Sequence, residues 1–321
     1  MRKVWFNGNI VPESEAKLSI YDSALMYADM PFEMFRSFNK NVFKFNEHLE
    51  RLKMSCKILE IDIPYEWSHL RGCYEGLVDA NVWNKDDEIR GLINISRGIL
   101  PMYADAGMGE SITNIIIACF PLRYVLKDKS KVYTEGIDVI VSFQMAISET
   151  FLDAKIKSRS RQHYKLADLE VHRYNPGAWA LLLDNDGFVA EGTGSNFFIV
   201  KDEKIITPEG RNILRGISRA YIFELAKQLR LECIEKNIEP FDVYEADEAF
   251  ITATPFCILP VATLNKRIIG KQFRIVINRI VINNLIYQWS ENVGVDIVKQ
   301  IKEWDKENKK EECTSPYQFK G

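Results

Sequence analysis

The chain has 321 residues, of which 46% are hydrophobic and 27% charged, and its net charge at pH 7 is −3. This length allows two domains with cores of their own, and the charge balance excludes the basic surface typical of nucleic-acid-binding proteins. The longest apolar run, around residues 115–120, is far shorter than the roughly 20 residues that a membrane span needs, so we expect neither a nucleic-acid nor a membrane partner.

Two hairpins are predicted early in the chain. The stretch VWFNGNIV turns at Asn7-Gly8, and FRSFNKNVFKF turns at Asn39-Lys40. Both turns are flanked by apolar residues and contain the asparagine that is typical of tight turns.

Two helices and two further strands are predicted next. Asn46 is a candidate N-cap for the first helix. Its apolar face, at helical spacing, consists of Leu49, Leu52, Cys56 and Leu59. Pro64 begins a second predicted helix at about 64–80, and residues 89–97 and 112–120 are typical of strands.

The second half begins after a charged stretch, 126–136, that we interpret as a linker. A strand is predicted from Ile137 and a polar helix near 160–174. A long amphipathic helical stretch at about 273–303 ends the predicted fold.

The domain organisation follows from these elements. We expect an N-terminal α+β domain at 1–125, the linker at 126–136 and a C-terminal domain at 137–303. Residues 304–321 are densely charged and end in Ser-Pro and glycine, which predicts a tail with little structure. Helices interspersed with hairpins predict an α+β fold of two domains.

A single carboxylate, Glu191, lies between apolar residues and a polar cluster in VAEGTGSNFFIV, residues 189–200. The preceding LLLDNDGFV is typical of strand, tight turn and strand, with Gly187 able to take a positive φ. A carboxylate at the end of a buried strand costs several kcal/mol, in rough terms, unless a cation or a donor meets it. Glu191 is either an acid that faces water or an acid aimed at a bound cationic group.

A second candidate site is the start of the predicted helix LRGISRAYIFELAKQL, residues 214–229. Gly216 followed by Ile217 and Ser218 offers backbone N–H groups and a hydroxyl, which together suit an anion. The alternative is ordinary capping of the helix by Ser218.

Other kinds of site are not supported by the sequence. The six cysteines and four histidines are dispersed without metal-binding spacing, which argues against a zinc site and a disulfide framework. We therefore expect no metal, and this cysteine usage suits a reducing cytoplasm, where we expect the protein. No glycine-rich phosphate loop follows a strand, so nucleotide binding is not predicted.

An anion held by a helix N-terminus and a cation held by a buried carboxylate together suit pyridoxal 5'-phosphate (PLP), which carries a phosphate and a protonatable pyridine nitrogen. Seven motifs follow one another along the chain: YDSALMYADMPFEMFRSF, FKFNEHLERLKMS, IRGLINISRG, KSRSRQHYKLADLE, LLLDNDGFVAEGTGSNFFIV, ITPEGRNILRGISR and ADEAFITATPFCILPV. In these motifs and their order, the sequence resembles the class IV aminotransferases, the fold type IV PLP enzymes, over roughly residues 3–285. These include branched-chain and D-amino acid transaminases, R-selective amine transaminases and aminodeoxychorismate lyases.

The resemblance implies a fold, an assembly and a set of cofactor-binding residues. The fold would have a smaller N-terminal α/β domain and a larger C-terminal β-rich domain that binds PLP, in a homodimer. Lys157 matches the lysine that forms the Schiff base with PLP, ahead of Lys155 and Lys165, and Glu191 matches the glutamate that pairs with the pyridine nitrogen. The positions that match the family's phosphate donors are Arg51, Ile217, Ser218 and Thr254.

The substrate residues depart from the pattern of branched-chain transaminases. Phe32-Glu33 is followed by Met34 where that branch usually has glycine, and its Tyr-Ile-Arg is Glu88-Ile89-Arg90. The branch's Thr-Ala-Ala turn becomes Thr254-Pro255-Phe256, and proline has no N–H to donate. Glu88 would add an anion near the substrate carboxylate.

Arginines are the candidates to compensate for these departures. Arg97, in Ser-Arg-Gly, is similar to the arginine that D-amino acid transaminases and related lyases use near the substrate carboxylate, and Arg90 is the second candidate. Arg159 and Arg161 add positive charge just after Lys157, which hints at an acidic substrate group. The other residues that the resemblance assigns to the substrate are Phe32, Arg36, Pro255 and Phe256.

The resemblance implies a PLP-dependent transaminase that moves an amino group between an amino acid and a 2-oxo acid through the Schiff base at Lys157. The motifs are most similar to the branched-chain transaminases. The alternatives are a D-amino acid transaminase, an aminodeoxychorismate lyase and, from another class, a PLP-binding protein without turnover, which the departures at Glu88 and Pro255 would suit.

Overall fold

The computed structural model describes residues 2–126, 128–270 and 279–307. The chain divides into two compact units. The first contains the residues up to Val125 together with Ile156–Ser160, and the second contains Leu126–Lys155 and Arg161–Glu307. Both units combine helices with sheets, so the predicted α+β class is confirmed.

The first unit is built on one antiparallel sheet. Its strands are β1 (Lys3–Phe6), β2 (Asn9–Pro12), β3 (Phe32–Phe38), β4 (Asn41–Val42), β5 (Ile89–Ser96) and β6 (Asn114–Pro121). Its helices are α1 (Ser23–Tyr27), α2 (Phe45–Ile58), α3 (His69–Ala80), α4 (Pro101–Ala104) and α5 (Arg123–Leu126), of which the last residue, Leu126, belongs to the second unit. The strands pair in the order β2-β1-β6-β5-β3-β4.

Both predicted hairpins are present in this sheet. Asn7 and Gly8 have φ angles of 47° and 98°, and Asn39 and Lys40 have φ angles of 49° and 64°. Two consecutive positive φ angles are typical of the tight turns whose twist matches that of the paired strands. The turn chemistry in the sequence therefore predicts the β1–β2 and β3–β4 connections correctly.

The core of the first unit joins α2 and α3 to the sheet. Leu49, Leu52 and Cys56 of α2 are buried, as predicted, and belong to one hydrophobic cluster with Leu70 and Leu77 of α3. Burying each leucine side chain contributes about 1.5–3 kcal/mol, so the apolar faces of these helices determine how they pack.

Two predicted helix starts are wrong. Asn46 is not the N-cap of α2, because the helix begins at Phe45 after Lys44 in a left-handed conformation. The second helix begins at His69 and not at Pro64. Tyr65 and Trp67 pack against the core, so tertiary packing rather than helical periodicity determines the conformation of this stretch.

The second unit is richer in strands. They are β7 (Ile137–Val141), β8 (Trp179–Leu183), β9 (Val189–Gly192), β10 (Ser195–Lys201), β11 (Lys204–Thr207), β12 (Cys233–Glu235), β13 (Glu248–Ala253), β14 (Cys257–Leu264) and β15 (Arg267–Ile268). The helices are α6 (Val132–Glu135), α7 (Gln162–Tyr174), α8 (Ile217–Gln228), α9 (Pro240–Glu245), α10 (Ile280–Val293) and α11 (Ile297–Glu307).

These strands form one sheet in the order β12-β11-β10-β13-β14-β7-β8-β9, with β15 beside β14. Strand β9 also pairs with β10, so six of the strands form a closed ring. The turn before β9 contains Gly187 with a φ of 87°. Its backbone N–H donates to the Asp184 carbonyl at 3.0 Å, as expected for the predicted strand, turn and strand.

The helical stretch predicted at 273–303 is two helices, α10 and α11, in the part of it that the structure describes. Gly294 ends α10 in a left-handed conformation with a φ of 66°, which glycine adopts at little cost. Helix α11 continues to Glu307, so the first residues of the predicted tail are helical. The predictions for 273–278 and 308–321 lie outside the described residues.

Candidate active site

Lys157 lies in the first unit, on the segment Ile156–Ser160. Its carbonyl accepts a hydrogen bond from the Phe32 N–H at 2.9 Å, and its own N–H donates to Ser55 Oγ at 3.2 Å. The Lys157 Nζ lies 5.0 Å from the centroid of the Phe32 ring. By sequence position the segment belongs to the predicted C-terminal domain, but its hydrogen bonds are made with residues at the start of β3 and in α2.

Arg51 is bound through two of its nitrogens by a buried carboxylate. Its Nε lies 2.6 Å from Glu33 Oε1 and its Nη2 lies 2.8 Å from Glu33 Oε2. His48, one turn earlier on α2, places Nδ1 2.7 Å from the same carboxylate. Glu33 is fully buried, so this contact fixes the guanidinium orientation by a two-pronged ion pair.

The ionisation of this group follows from its partners. Burial alone would raise the pKa of Glu33, but Arg51 and His48 outweigh burial and hold that pKa well below its usual range. Burial lowers the pKa of His48, against the opposing effect of Glu33. Neither Glu33 nor His48 is predicted as a site residue from the sequence. The i, i+3 spacing of His48 and Arg51, which places both on one face of α2, is the signal that could have identified His48.

Arg36 and Arg90 are direct cross-strand partners on β3 and β5, and both are buried. The Arg90 Nη2 lies 3.5 Å from the sulfur of Met34, while its Nε and Nη1 have no hydrogen-bond partner among the described residues. Burial, with a further contribution from Arg36, lowers the pKa of Arg90 to about 10. Like charges at directly opposite positions of paired strands are destabilising, so an anion bound at Arg90 would offset the repulsion from Arg36.

Arg97 follows the end of β5 and bonds to the protein through three nitrogens. Its Nε donates to Asp29 Oδ2 at 2.7 Å. Its Nη1 donates to the Glu60 carbonyl at 2.9 Å, and its Nη2 to the Leu59 carbonyl at 2.6 Å. A substrate carboxylate at Arg97 would have to share or replace these contacts.

Glu88 has a structural role that differs from the expected one. Its carboxylate accepts hydrogen bonds from Ser37 Oγ and from the backbone N–H groups of Asn39 and Lys40, the latter two at 2.6 and 3.2 Å. These contacts support the β3–β4 turn. Glu88 therefore binds the turn, and its expected place near the substrate carboxylate stays a prediction.

In the second unit, Glu191 lies on β9 with only 3% of its surface exposed. It accepts hydrogen bonds from the Tyr164 hydroxyl, from the Leu214 N–H at 3.0 Å and from Asn196 Nδ2 at 3.3 Å. Burial, followed by Glu191, raises the pKa of Tyr164 well above its ordinary value, so the phenol stays a donor. Glu191 is therefore a buried carboxylate met by donors, and it does not face water.

The N-terminus of α8 has no side-chain cap, since its N-cap residue is Gly216. A Cβ at this position would lie 2.1 Å from Asn196 Oδ1, so glycine is required for the close approach. Ser218 is buried at the start of the helix but does not cap it. Of the two interpretations left open by the sequence, capping by Ser218 is wrong.

A cavity of about 690 Å³ opens at this helix N-terminus and includes Gly216 and Ile217 in its lining. Its charged lining residues are Lys155, Arg211, Arg215, Arg219, Glu149, Glu209 and Glu235. The Nε of Arg219 is buried without a hydrogen-bond partner among the described residues. Uncapped N–H groups and arginines around one cavity suit an anion.

The last predicted positions form the turn between β13 and β14. Thr254, Pro255 and Phe256 are this turn, and the carbonyl of Phe256 accepts a hydrogen bond from the Tyr133 hydroxyl at 2.8 Å. The neighbouring Thr252 Oγ1 is buried without a partner among the described residues. The contact of Thr254, Pro255 and Phe256 with substrate and cofactor stays a prediction.

The residues present fit PLP. An uncapped helix N-terminus in a cavity with arginines suits a phosphate, a buried carboxylate suits a protonated pyridine nitrogen, and the Lys157 amine suits an aldehyde. The described residues contain no group of three or more histidines, cysteines or acids able to hold a metal ion. No helix among them is long and apolar enough to cross a membrane.

Comparisons with known proteins give one consistent result. The family model for class IV amino-transferases matches residues 31–264. A putative branched-chain-amino-acid aminotransferase of Methanocaldococcus jannaschii is 34% identical over 271 residues, which cover 84% of this chain and 90% of that protein. A D-alanine aminotransferase of Bacillus licheniformis is 28% identical, with 84% and 90% coverage.

A solved structure extends the similarity to three dimensions. The T.th. branched-chain amino acid aminotransferase, complexed with N-(5'-phosphopyridoxyl)-L-glutamate, superposes with a TM-score of 0.80 at 25% identity, covering 91% of this chain and 94% of that one. The family model spans most of the chain, and the relatives are matched over nearly their whole length. The chain therefore belongs to the class IV aminotransferases and is an enzyme.

Proposed function

We propose that this enzyme uses PLP to transfer an amino group between a branched-chain amino acid and a 2-oxo acid. The observation that carries the substrate class is the 34% identity to a putative branched-chain aminotransferase over 84% of the chain. The similarity to a D-alanine aminotransferase supports one second candidate, transamination of D-amino acids. The lyase and the PLP-binding protein without turnover are not favoured.

When bound, PLP supplies an electron sink for the carbon that loses its proton. Lys157 would hold the aldehyde through Nζ and, once the substrate amine has displaced it, would move the proton at the substrate Cα, which contributes about 10²–10⁴-fold to the rate. Its backbone is held by Phe32 and Ser55, so the side chain starts from a fixed position. Glu191 holds a proton at the pyridine nitrogen, a role that its burial among hydrogen-bond donors suits.

The phosphate is bound by the backbone N–H groups at the start of α8, with the Ser218 hydroxyl, Thr254 and Arg51 as further donors. The absence of a side-chain cap at Gly216 supports this assignment for the helix. The ion pair with Glu33 supports it for Arg51, because contacts with both carboxylate oxygens fix the orientation of the guanidinium.

For the substrate, Arg97 and Arg90 remain the candidates that the sequence proposed, in a site with Phe32, Arg36, Pro255 and Phe256. The contacts of Arg97 with Asp29 and two carbonyls count against it. Of these two arginines, Arg90 is favoured, because its buried Nε and Nη1 have no partner among the described residues.

The assembly and the location stay proposals. We propose a homodimer in a reducing cytoplasm. Exposed apolar side chains at Ile20, Leu25 and Tyr27 support an interface on the first unit, and the free cysteines among the described residues suit reducing conditions. Light scattering at micromolar concentration should give twice the mass of one chain, and an active monomer would contradict the assembly.

An amino-acid panel tests the function. Purified protein is incubated with PLP and each amino acid, D and L, with and without 2-oxoglutarate. Branched-chain substrates should be consumed only when the oxo acid is present, because a transaminase needs an acceptor. Consumption without the acceptor would indicate a lyase, preference for D-alanine would support the second candidate, and no consumption would indicate a binding protein.

A further inference from the structure

Two cationic side chains from one short segment lie against the same aromatic ring. The Lys157 Nζ is 5.0 Å from the centroid of Phe32, and the Arg159 Cζ is 3.8 Å from that centroid. Because both distances are measured to the same ring centroid, Lys157 Nζ and Arg159 Cζ are less than about 9 Å apart. Arg159 is thus held close to the amine that works at the reacting carbon.

The guanidinium of Arg159 is fixed although the residue is exposed. Its Nε and Nη2 donate to Asn94 Oδ1 at 3.1 and 2.6 Å, and its backbone N–H donates to the Met30 carbonyl at 2.9 Å. Asn94 is the cross-strand partner of Phe32, so the ring and the amide come from adjacent positions of β3 and β5. Contacts of an exposed arginine contribute little to stability. Support from both the Phe32 ring and the Asn94 amide therefore indicates a role other than stability.

The other arginines occupy different positions. The Arg97 nitrogens bond to Asp29 and two carbonyls, and the Arg161 guanidinium lies over the Tyr164 ring of the second unit. Arg90 is four residues from Asn94 along β5, about 13 Å at the usual rise of a strand. Of these arginines, Arg159 is the one that shares a ring with Lys157.

We propose that Arg159, in place of the earlier candidates Arg97 and Arg90, binds the carboxylate attached to the reacting carbon, in both the amino acid and the 2-oxo acid. This rests on the proposed role of Lys157, because the reacting carbon carries both the nitrogen exchanged at the lysine and the carboxylate. A guanidinium whose plane is fixed by stacking grips a carboxylate through two parallel N–H bonds. Arg159 therefore selects amino acids over amines that lack a carboxylate.

Three probes that differ by one group each separate the possibilities. They are leucine, 3-methylbutylamine, which lacks the carboxylate, and 4-methylvaleric acid, which lacks the amine. The variants are Arg159→Ala, Arg159→Lys and Asn94→Ala, with Arg173→Ala on α7 as the control for loss of an exposed positive charge. Rates are measured on the PLP-loaded enzyme, and 4-methylvaleric acid binding is measured by calorimetry.

Arg159→Ala should raise the KM for leucine and for its 2-oxo acid at least tenfold and weaken 4-methylvaleric acid binding by a similar factor, as expected for loss of a two-pronged contact. The half-reaction with 3-methylbutylamine should keep its rate. Arg159→Lys should restore part of the affinity, Asn94→Ala should cause a smaller loss, and Arg173→Ala should match the parent enzyme.

Three outcomes would overturn the proposal. Unchanged 4-methylvaleric acid binding would show that the carboxylate is bound elsewhere. An equal loss of rate with 3-methylbutylamine would show that the role of Arg159 is structural. With 2-oxoglutarate as the acceptor, a rise in KM confined to that acceptor would assign Arg159 to its distal carboxylate. If the parent enzyme does not transaminate leucine, the proposed function fails, while calorimetry still decides whether Arg159 binds a carboxylate. If Arg159→Ala does not fold, the Lys and Asn94 variants carry the same comparison.

Discussion

The substitution Glu33→Gln tests whether a buried carboxylate holds the arginine proposed for the phosphate. Glu33 is fully buried, and its two oxygens lie 2.6 and 2.8 Å from Arg51 Nε and Nη2. Breaking one partner of a buried ion pair costs about 3–5 kcal/mol, because the other charge is left uncompensated. The glutamine oxygen still accepts one hydrogen bond, so we expect the lower end, about 3 kcal/mol of unfolding free energy.

The pH dependence of this loss has a defined sign. The pKa of Glu33 is lowered in the folded protein from an ordinary value of 4.5. The ion pair therefore stabilises the folded state fully above that value and loses its contribution as the pH falls through the lower, folded pKa. The difference between the parent protein and Glu33→Gln should be constant between pH 7 and about 5 and should narrow below pH 4.5.

The assays separate stability from cofactor binding. Urea unfolding of the PLP-free protein measures the free energy, and absorbance titrations compare PLP with pyridoxal, which has no phosphate. Glu33→Gln should weaken PLP binding about tenfold, the equivalent of 1.4 kcal/mol, and leave pyridoxal binding unchanged. Glu47→Gln is the matched control, because Glu47 forms a surface pair with Lys44 at 3.5 Å. This substitution should change stability by less than about 0.5 kcal/mol. Equal stability of Glu33→Gln and Glu47→Gln would refute the ion-pair argument, and equal losses for PLP and pyridoxal would refute the link to the phosphate.

Three further substitutions have defined outcomes. Lys157→Ala should remove the borohydride-reducible bond to PLP and slow the half-reaction by about 10²–10⁴-fold, whereas Lys165→Ala should retain both; a reducible bond in Lys157→Ala would show that another lysine binds the aldehyde. Glu191→Gln should still bind PLP but lose a charge-assisted contact that contributes about 1.5–3 kcal/mol. The single-turnover rate should therefore fall by about tenfold to a few hundredfold, and an unchanged rate would disprove the role of Glu191 at the pyridine nitrogen. Gly216→Ala should destabilise the protein by about 1–3 kcal/mol and weaken PLP binding, because its Cβ would lie 2.1 Å from Asn196 Oδ1. Gly194→Ala is the control, because no atom lies within 4 Å of the added carbon, and it should change neither property. Similar thermal unfolding of the two variants would contradict the steric argument.

The predictions that succeeded depend on information that lies within a few residues. Apolar spacing predicts α2 and its buried face, and Asn-Gly and Asn-Lys predict two hairpins, because turn geometry and helical periodicity are local properties. The motifs around Lys157 and Glu191 identify the family for the same reason, since each is a short run of residues. Helix boundaries failed where packing decides, as at Tyr65 and Trp67.

The contacts that define the candidate site needed the tertiary structure. Glu33 and Arg51 are 18 residues apart, and their ion pair exists because β3 and α2 pack together, which no local pattern encodes. Arg159 lies against Asn94 across 65 residues of sequence, and Glu88 binds a turn about 50 residues earlier. The sequence alone determined the family, the local elements and the candidate reactive lysine. Only folding decided which charged side chains meet, because the low-dielectric interior makes each buried charge depend on the partner that the fold brings to it.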